Sequence, residues 1–271
     1  MDLKKYNPEG SLLRRDQLEL LRMLQCFGKI LDDLGVQWWL ASGTLLGAAR
    51  HQGFIPWDDD IDIVMFHKDY KKIEKALCNL ESDEFVFHCM RTDPDYVNSF
   101  GKFRKKEGRI SVSSRRYDYY KWAGIGLDLF TIEKTNYLSV SLARTVYKHM
   151  QPHTAKIRKN WIRIPLIRTI ELFNFCLIHP ICRLIGLINP KKEYHYSMAT
   201  GWNKVAFTKE MILPLGKIDF EGVQFPAPRD VDAYLTREYG DWRKLPSEES
   251  IKKSIHCIDY RQEIFGNGQY S

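Results

Sequence analysis

Trp57-Asp58-Asp59-Asp60-Ile61-Asp62-Ile63-Val64-Met65-Phe66 places four carboxylic acids within five residues, directly before and inside an apolar run. Alternation makes the run a strand, with Ile61, Ile63 and Met65 on one face and Asp60, Asp62 and Val64 on the other. Asp60 and Asp62 then project to the same side about 7 Å apart. Like charges this close in a largely buried strand must be protonated, solvated or held by a cation. An isolated run of aspartates reads as a solvated acidic turn. Continuation into Ile63-Val64-Met65-Phe66 favours a hard divalent metal, on which two carboxylates can converge.

Upstream, Leu20, Leu24, Phe27, Leu31 and Leu34 recur at steps of three and four and predict an amphipathic helix that stops at Gly35. A strand is expected at Val36–Ala41. Ser42-Gly43-Thr44-Leu45-Leu46-Gly47 then reads as a turn of small and hydroxyl residues before a short helix, with backbone N–H groups able to cradle a phosphate. Downstream, Tyr70, Ile73, Leu77 and Leu80 predict a second helix, and short strands are expected at Phe85–Met90, Phe100–Arg104 and Ile125–Ile132. Asp128 sits inside the last of these and could complete a three-carboxylate site with Asp60 and Asp62. Lys102 and Arg104 alternate onto one side of their strand, as two cations facing a phosphorylated ligand would.

From Tyr137 to Ala206 the chain reads as helical, first basic and then apolar between Ile164 and Ile188, with Pro165 and Pro180 breaking or kinking it. Eight bases (Lys134, Arg144, Lys148, Lys156, Arg158, Lys159, Arg163 and Arg168) and no acid lie between Glu133 and Glu171, which accounts for the net charge of +7. Arg168, Glu171 and Arg183 interrupt the apolar run, and its charge-free core, Leu172–Cys182, is short against the roughly 20 residues a span needs. The pattern suits an interfacial helix that attracts anionic lipid, with a buried core helix as the competing reading. Further on, Lys217–Pro226 reads as a hairpin turning at Glu221-Gly222, and Asp230–Tyr239 as a helix capped by Asp230 and stopped by Gly240.

The composition, 44% hydrophobic and 28% charged over 271 residues, is that of an ordinary globular protein. Its six cysteines show no metal-binding or disulfide spacing, and the first ten residues lack the apolar core of a signal peptide. A cytoplasmic protein is expected, possible contact with the inner face of the cell membrane included.

The run Ala41 to Ile63 (ASGTLLGAARHQGFIPWDDDIDI) resembles the signature of the LicD/fukutin family, as does Phe220-Glu221-Gly222-Val223-Gln224-Phe225-Pro226-Ala227-Pro228 with Tyr234-Leu235 and Tyr239-Gly240-Asp241-Trp242. The two segments bracket roughly residues 36–245. The resemblance implies an α+β fold, a nucleotidyltransferase-like mixed β-sheet flanked by helices, with a helical basic and apolar insertion. Residues 1–136 would be the catalytic core, 137–206 the insertion, on the acceptor or membrane side, and 207–271 a hairpin and helix packed on the core. It implies transfer of phosphocholine from CDP-choline to a sugar hydroxyl of a teichoic-acid or lipopolysaccharide precursor on a lipid-linked glycan, releasing CMP. Asp60, Asp62 and Asp128 would be catalytic and, with Asp58, would hold Mg²⁺, or Mn²⁺ in its place, and Asp128 would take the hydroxyl proton. Ser42, Gly43, Thr44, Arg50, Lys102 and Arg104 would meet the phosphates. Tyr119 and Trp122, from the densest aromatic cluster, would cage choline. Another CDP-alcohol donor, or nucleotidyl transfer to a small molecule or RNA, are the alternatives; no nucleic-acid partner is expected.

Overall fold

Ser11 opens the first helix, α1 (Leu12–Asp33), by accepting the Arg14 N–H at 3.1 Å. The helix ends where Gly35 takes a left-handed φ of +62°. The computed structural model describes residues 3–112, 115–154, 156–197 and 205–266, and within them the side chains other than those of 115–116 and 146–153. Lys148 of the basic run therefore lies outside the described side chains. After α1 come β1 (Trp38–Leu40), α2 (Ser42–His51), β2 (Ile61–Phe66), α3 (His67–Leu77), β3 (Phe85–His88), β4 (Gly101–Lys105) and β5 (Gly126–Lys134).

These strands form one mixed sheet in the order β1-β2-β5-β4-β3, in which β2 and β5 run parallel and the other neighbours antiparallel. The face carrying Ile61, Ile63, Leu127 and Leu129 packs on α1, where Phe27 stacks on Phe103 at a centroid distance of 4.6 Å. Truncating a buried ring such as Phe27 to alanine costs about 3–5 kcal/mol. The opposite face carries the acids, and its far end is closed by the aromatic chain Phe130, Tyr196, Phe207 and Tyr234, the last two stacked at 4.0 Å.

Two expectations are corrected here. The segment Ser42 to Gly47 is no open turn, since it forms the first part of α2. Gly47 is needed there for close approach: a Cβ would lie 2.5 Å from the Gly53 oxygen and 2.9 Å from the Ile55 nitrogen. Both are backbone atoms, so Gly47→Ala is expected to destabilise the protein by about 1–3 kcal/mol, read as a lower urea midpoint. Secondly, the helical reading of Tyr137–Ala206 fails beyond Gly186, where the chain turns and then forms β6 (Tyr194–Tyr196) and β7 (Ala206–Phe207), which extend the sheet. Only Gly126–Leu129 of β5 pairs with β4, so the backbone groups of Ile132–Lys134 need another partner, and β6 supplies it.

The insertion contains α4 (Tyr137–Thr154), α5 (Asn160–Phe173) and α6 (His179–Gly186). Pro180 does not break it. A π-turn over Asn174–Ile178 joins α5 to α6, with the His179 N–H reaching back to the Asn174 carbonyl; the wider turn accommodates the proline ring. The resulting helix, Asn160–Gly186, is long and apolar enough by length and composition to cross a membrane, which the sequence had divided into shorter pieces. Arg163 binds it to the core through Asp95 at 2.7 Å, and Arg183 does so through Glu133 at 3.1 Å.

C-terminal to the short α7 (Lys209–Ile212), β8 (Gly216–Phe220) and β9 (Val223–Ala227) make the expected hairpin, with Glu221 and Gly222 both at positive φ. Glu221 also accepts from Arg14 at 2.7 Å and from the Phe54 N–H at 3.1 Å, which ties the hairpin to α1 and to the loop before the acids. Then α8 (Val231–Tyr239), capped by Asp230, α9 (Glu248–Ser254) and α10 (Ile258–Phe265) complete the chain. The six cysteines are free thiols; Cys78 and Cys89 share a thiol hydrogen bond at 3.6 Å and no disulfide.

Candidate active site

Strand register assembles the site. Asp62 on β2 is the neighbour of Asp128 on β5, Asp128 of Lys102 on β4, and Lys102 of His88 on β3. Four polar side chains therefore form one row across four strands, on the face opposite α1. Oxygens of Asp60, Asp62 and Asp128 lie within 4.8 Å of one another, and those of Asp58, Asp59 and Asp60 form a second such group.

The acids are mutually destabilised. Burial, followed by the charges of Asp59 and Asp128, pushes the Asp60 carboxyl up to about 7. Burial and then Asp60, Asp128 and Asp58 hold Asp62 well above the usual carboxylate range, and Asp58 is raised by burial and by Asp60 and Asp59. Asp59 rises to about 6, mainly through burial, against the opposing charge of Lys102 and a backbone N–H from Cys257. Lys102 meets Asp128 at 2.5 Å. Burial draws the Lys102 ammonium down, but Asp128 and Tyr117 together outweigh it and the net shift is upward. Hard oxygen donors at this density, their ionisation opposed by burial and by one another, are a set that fits a divalent cation.

Several anticipated ligand contacts are already committed to the protein. Thr44 accepts the Asp62 N–H through its hydroxyl at 2.8 Å and so positions β2. At Gly43 a Cβ would meet the Asp58 carboxylate at 2.6 Å, so the glycine makes room for that acid at the start of α2. Ser42 lies within 3.5 Å of the Tyr196 hydroxyl and 3.3 Å of Glu238. Arg50 donates to the carbonyls of Trp242 and Lys244, clamping the segment after α8. Arg104 shares the side of Lys102 but donates to the Gly124 carbonyl at 2.8 Å and lies over Tyr117. Tyr119 is covered by the Arg163 guanidinium, 3.6 Å from its centroid, so that face is closed to a ligand. Trp122 stands edge-on to His88 at 5.5 Å, with Lys121 over its ring at 4.5 Å.

Other residues enter that the sequence did not single out for the site. His88 is buried and bonded to Asp93 at 2.8 Å, with Tyr96 and Tyr120 around it. Gln17 on α1 holds the Asp58 carbonyl at 2.9 Å. The Tyr239 hydroxyl is raised by burial and then by Glu238, Asp62, Asp58 and Asp60, which puts it in the field of the acids. The charge of His256 reaches Asp60. Tyr239 lies in the signature segment Tyr239-Gly240-Asp241-Trp242; no local pattern announces the others, because each arrives from an element remote in sequence.

The model of the LicD/FKTN/FKRP nucleotidyltransferase domain matches residues 35–180. The chain is 26% identical over 262 residues to the lipopolysaccharide cholinephosphotransferase LicD of Haemophilus influenzae, covering 89% of this chain and 94% of that protein. It is also 51% identical over 49 residues to the ribitol-5-phosphate transferase FKTN of Mus musculus, covering 18% and 11%. With the human ribitol 5-phosphate transferase FKRP it shares 46% identity over 46 residues, covering 17% and 9%.

Proposed function

Because the chain belongs to the LicD/FKTN/FKRP nucleotidyltransferase-domain family, we propose that it is a phosphotransferase moving phosphocholine from CDP-choline to a sugar hydroxyl of a lipopolysaccharide or teichoic-acid precursor, with release of CMP. The observation that carries this reading is the convergence of Asp60, Asp62 and Asp128 beside Lys102. The likeness to the Haemophilus lipopolysaccharide cholinephosphotransferase, which covers 94% of that protein, supports phosphocholine as the group transferred.

Asp60, Asp62 and Asp128 would hold Mg²⁺ or Mn²⁺, which when bound supplies charge neutralisation for the diphosphate and the departing CMP. Asp58 lies beside Asp60 as a further ligand or an outer neighbour. Asp128, held by Lys102 at 2.5 Å, would orient the acceptor hydroxyl and take its proton. The same ammonium adds fixed positive charge next to the acids. For choline, which offers no hydrogen-bond donor, Trp122 is the aromatic residue proposed.

The test is CMP release by the purified full chain with Mg²⁺, a glycan acceptor, and CDP-choline or CDP-ribitol. Acceptor-dependent release from CDP-choline is the expected result. Release from CDP-ribitol alone would keep phospho-alcohol transfer and change the donor. Pyrophosphate release from a nucleoside triphosphate, with no turnover of either CDP compound, would replace the proposal by nucleotidyl transfer.

A further inference from the structure

The helix Asn160–Gly186 is built inside-out. Three polar side chains lie on its buried side, Arg163 at 2% exposed and paired with Asp95, Asn174 and His179, with only Ile167 and Cys182 as buried apolar side chains beside them. Its solvent side is apolar, with Trp161 73%, Leu172 64% and Leu184 66% exposed, and the chain leaves the helix through Leu187 and Ile188 at 80% and 74%. A helix facing water carries the reverse pattern. Leu138 on the neighbouring α4, 66% exposed, continues the patch, and a contiguous apolar surface of this kind marks an interaction site.

Charge identifies what covers it. From Lys134 to Lys192 the sequence holds eleven bases and a single acid, Glu171, and Glu171 is bound to Arg168 at 2.8 Å. Lys156, Arg158 and Lys159 are exposed before the helix, and Lys191 and Lys192 after it. A second copy would bring the same positive charge against this one, whereas anionic headgroups would complement bases at both ends. Because Arg163 and Arg183 anchor opposite ends of the helix to the core, it meets a bilayer lengthwise.

We propose that this face inserts into the headgroup and acyl boundary of an anionic bilayer, with the helix in the membrane plane. The inference goes beyond the proposed reaction and does not rest on it, since vesicle binding is read without turnover.

Flotation of the full chain with phosphatidylcholine vesicles, with and without phosphatidylglycerol, is the test. Binding is expected to the anionic vesicles and to weaken at least about tenfold without phosphatidylglycerol or in high salt. Leu184→Glu with Leu187→Glu should weaken it at least about tenfold while the circular dichroism and melting midpoint stay unchanged, because both side chains are exposed. Lys191→Glu with Lys192→Glu, a change outside the apolar face, should reduce the gain from phosphatidylglycerol. A folded wild type that binds neither vesicle overturns the proposal. So does equal binding by the leucine variant, or a dimer in sedimentation that Leu184→Glu dissociates in a protein without vesicle affinity.

Discussion

Asp62→Asn is expected to abolish acceptor-dependent CMP release, by about a thousandfold or more, and yet to raise the melting midpoint of the divalent-free protein at about pH 8. Asp60→Asn should act alike. In the folded state these carboxyls titrate above the ordinary range, Asp60 near 7 and Asp59 near 6, because burial and like charge oppose ionisation. The folded protein therefore binds protons more tightly than the unfolded chain. Above about pH 7 Asp59 and Asp60 are ionised in both states, and the cost of burying their charges beside other acids is fully expressed. Stability is gained as pH falls through 7 and 6 and levels off near the unfolded value of about 4. Wild-type protein without divalent ions should thus melt higher at about pH 5.5 than at about pH 8. The difference should shrink in Asp62→Asn and on addition of Mg²⁺. For a chain of this size each kcal/mol moves the midpoint by about 2–4 °C, so scanning calorimetry resolves it. A lower midpoint for both asparagine variants at high pH would remove the crowding account.

Lys102→Met should cost about 3–5 kcal/mol. The ammonium and the Asp128 carboxylate are almost entirely buried and meet at 2.5 Å, and removing the cation leaves a buried carboxylate in register with Asp62. Urea denaturation should show a lower midpoint with little change in slope. The double variant Lys102→Met/Asp128→Leu removes both charges and should recover most of the loss, giving a coupling energy that neither single variant contains. Asp128→Asn alone should cost less, because Asp60 and Asp62 remain as counter-charges for Lys102. If Lys102→Met is as stable as wild type, the pair does not hold the β4 and β5 edge as described.

The signature run and the alternation around it carried most of the site. Asp60 and Asp62 had to share a face once their strand was recognised, and Lys102 with Arg104 likewise, because period-two alternation is a local property of the backbone. Helix α1, the hairpin at Glu221-Gly222 and the cap at Asp230 were legible for the same reason: each depends on residues within a few positions of one another. The helical reading of residues 194–207 failed because β6 forms to satisfy the edge of a strand about sixty residues earlier in the chain. The open turn expected at Ser42 is the start of α2, whose glycines make room for Asp58 and for the loop at 53–55, contacts that exist only once α2 has packed. Tyr119 belonged to an aromatic cluster in sequence and lies under Arg163 in the fold.

What the sequence by itself determined is the chemistry available: an acid strand, a third carboxylate, two cations and a basic, apolar insertion. Tertiary structure decided which of them meet. The neighbour relations Asp62 to Asp128 to Lys102 to His88 depend on strand register, and register is settled by burial of the opposite face against α1. The pairing of Arg163 with Asp95, which turns the apolar side of Asn160–Gly186 outward, depends on packing as well. Both join residues far apart in the chain, and only the shared burial of the core brings such residues together.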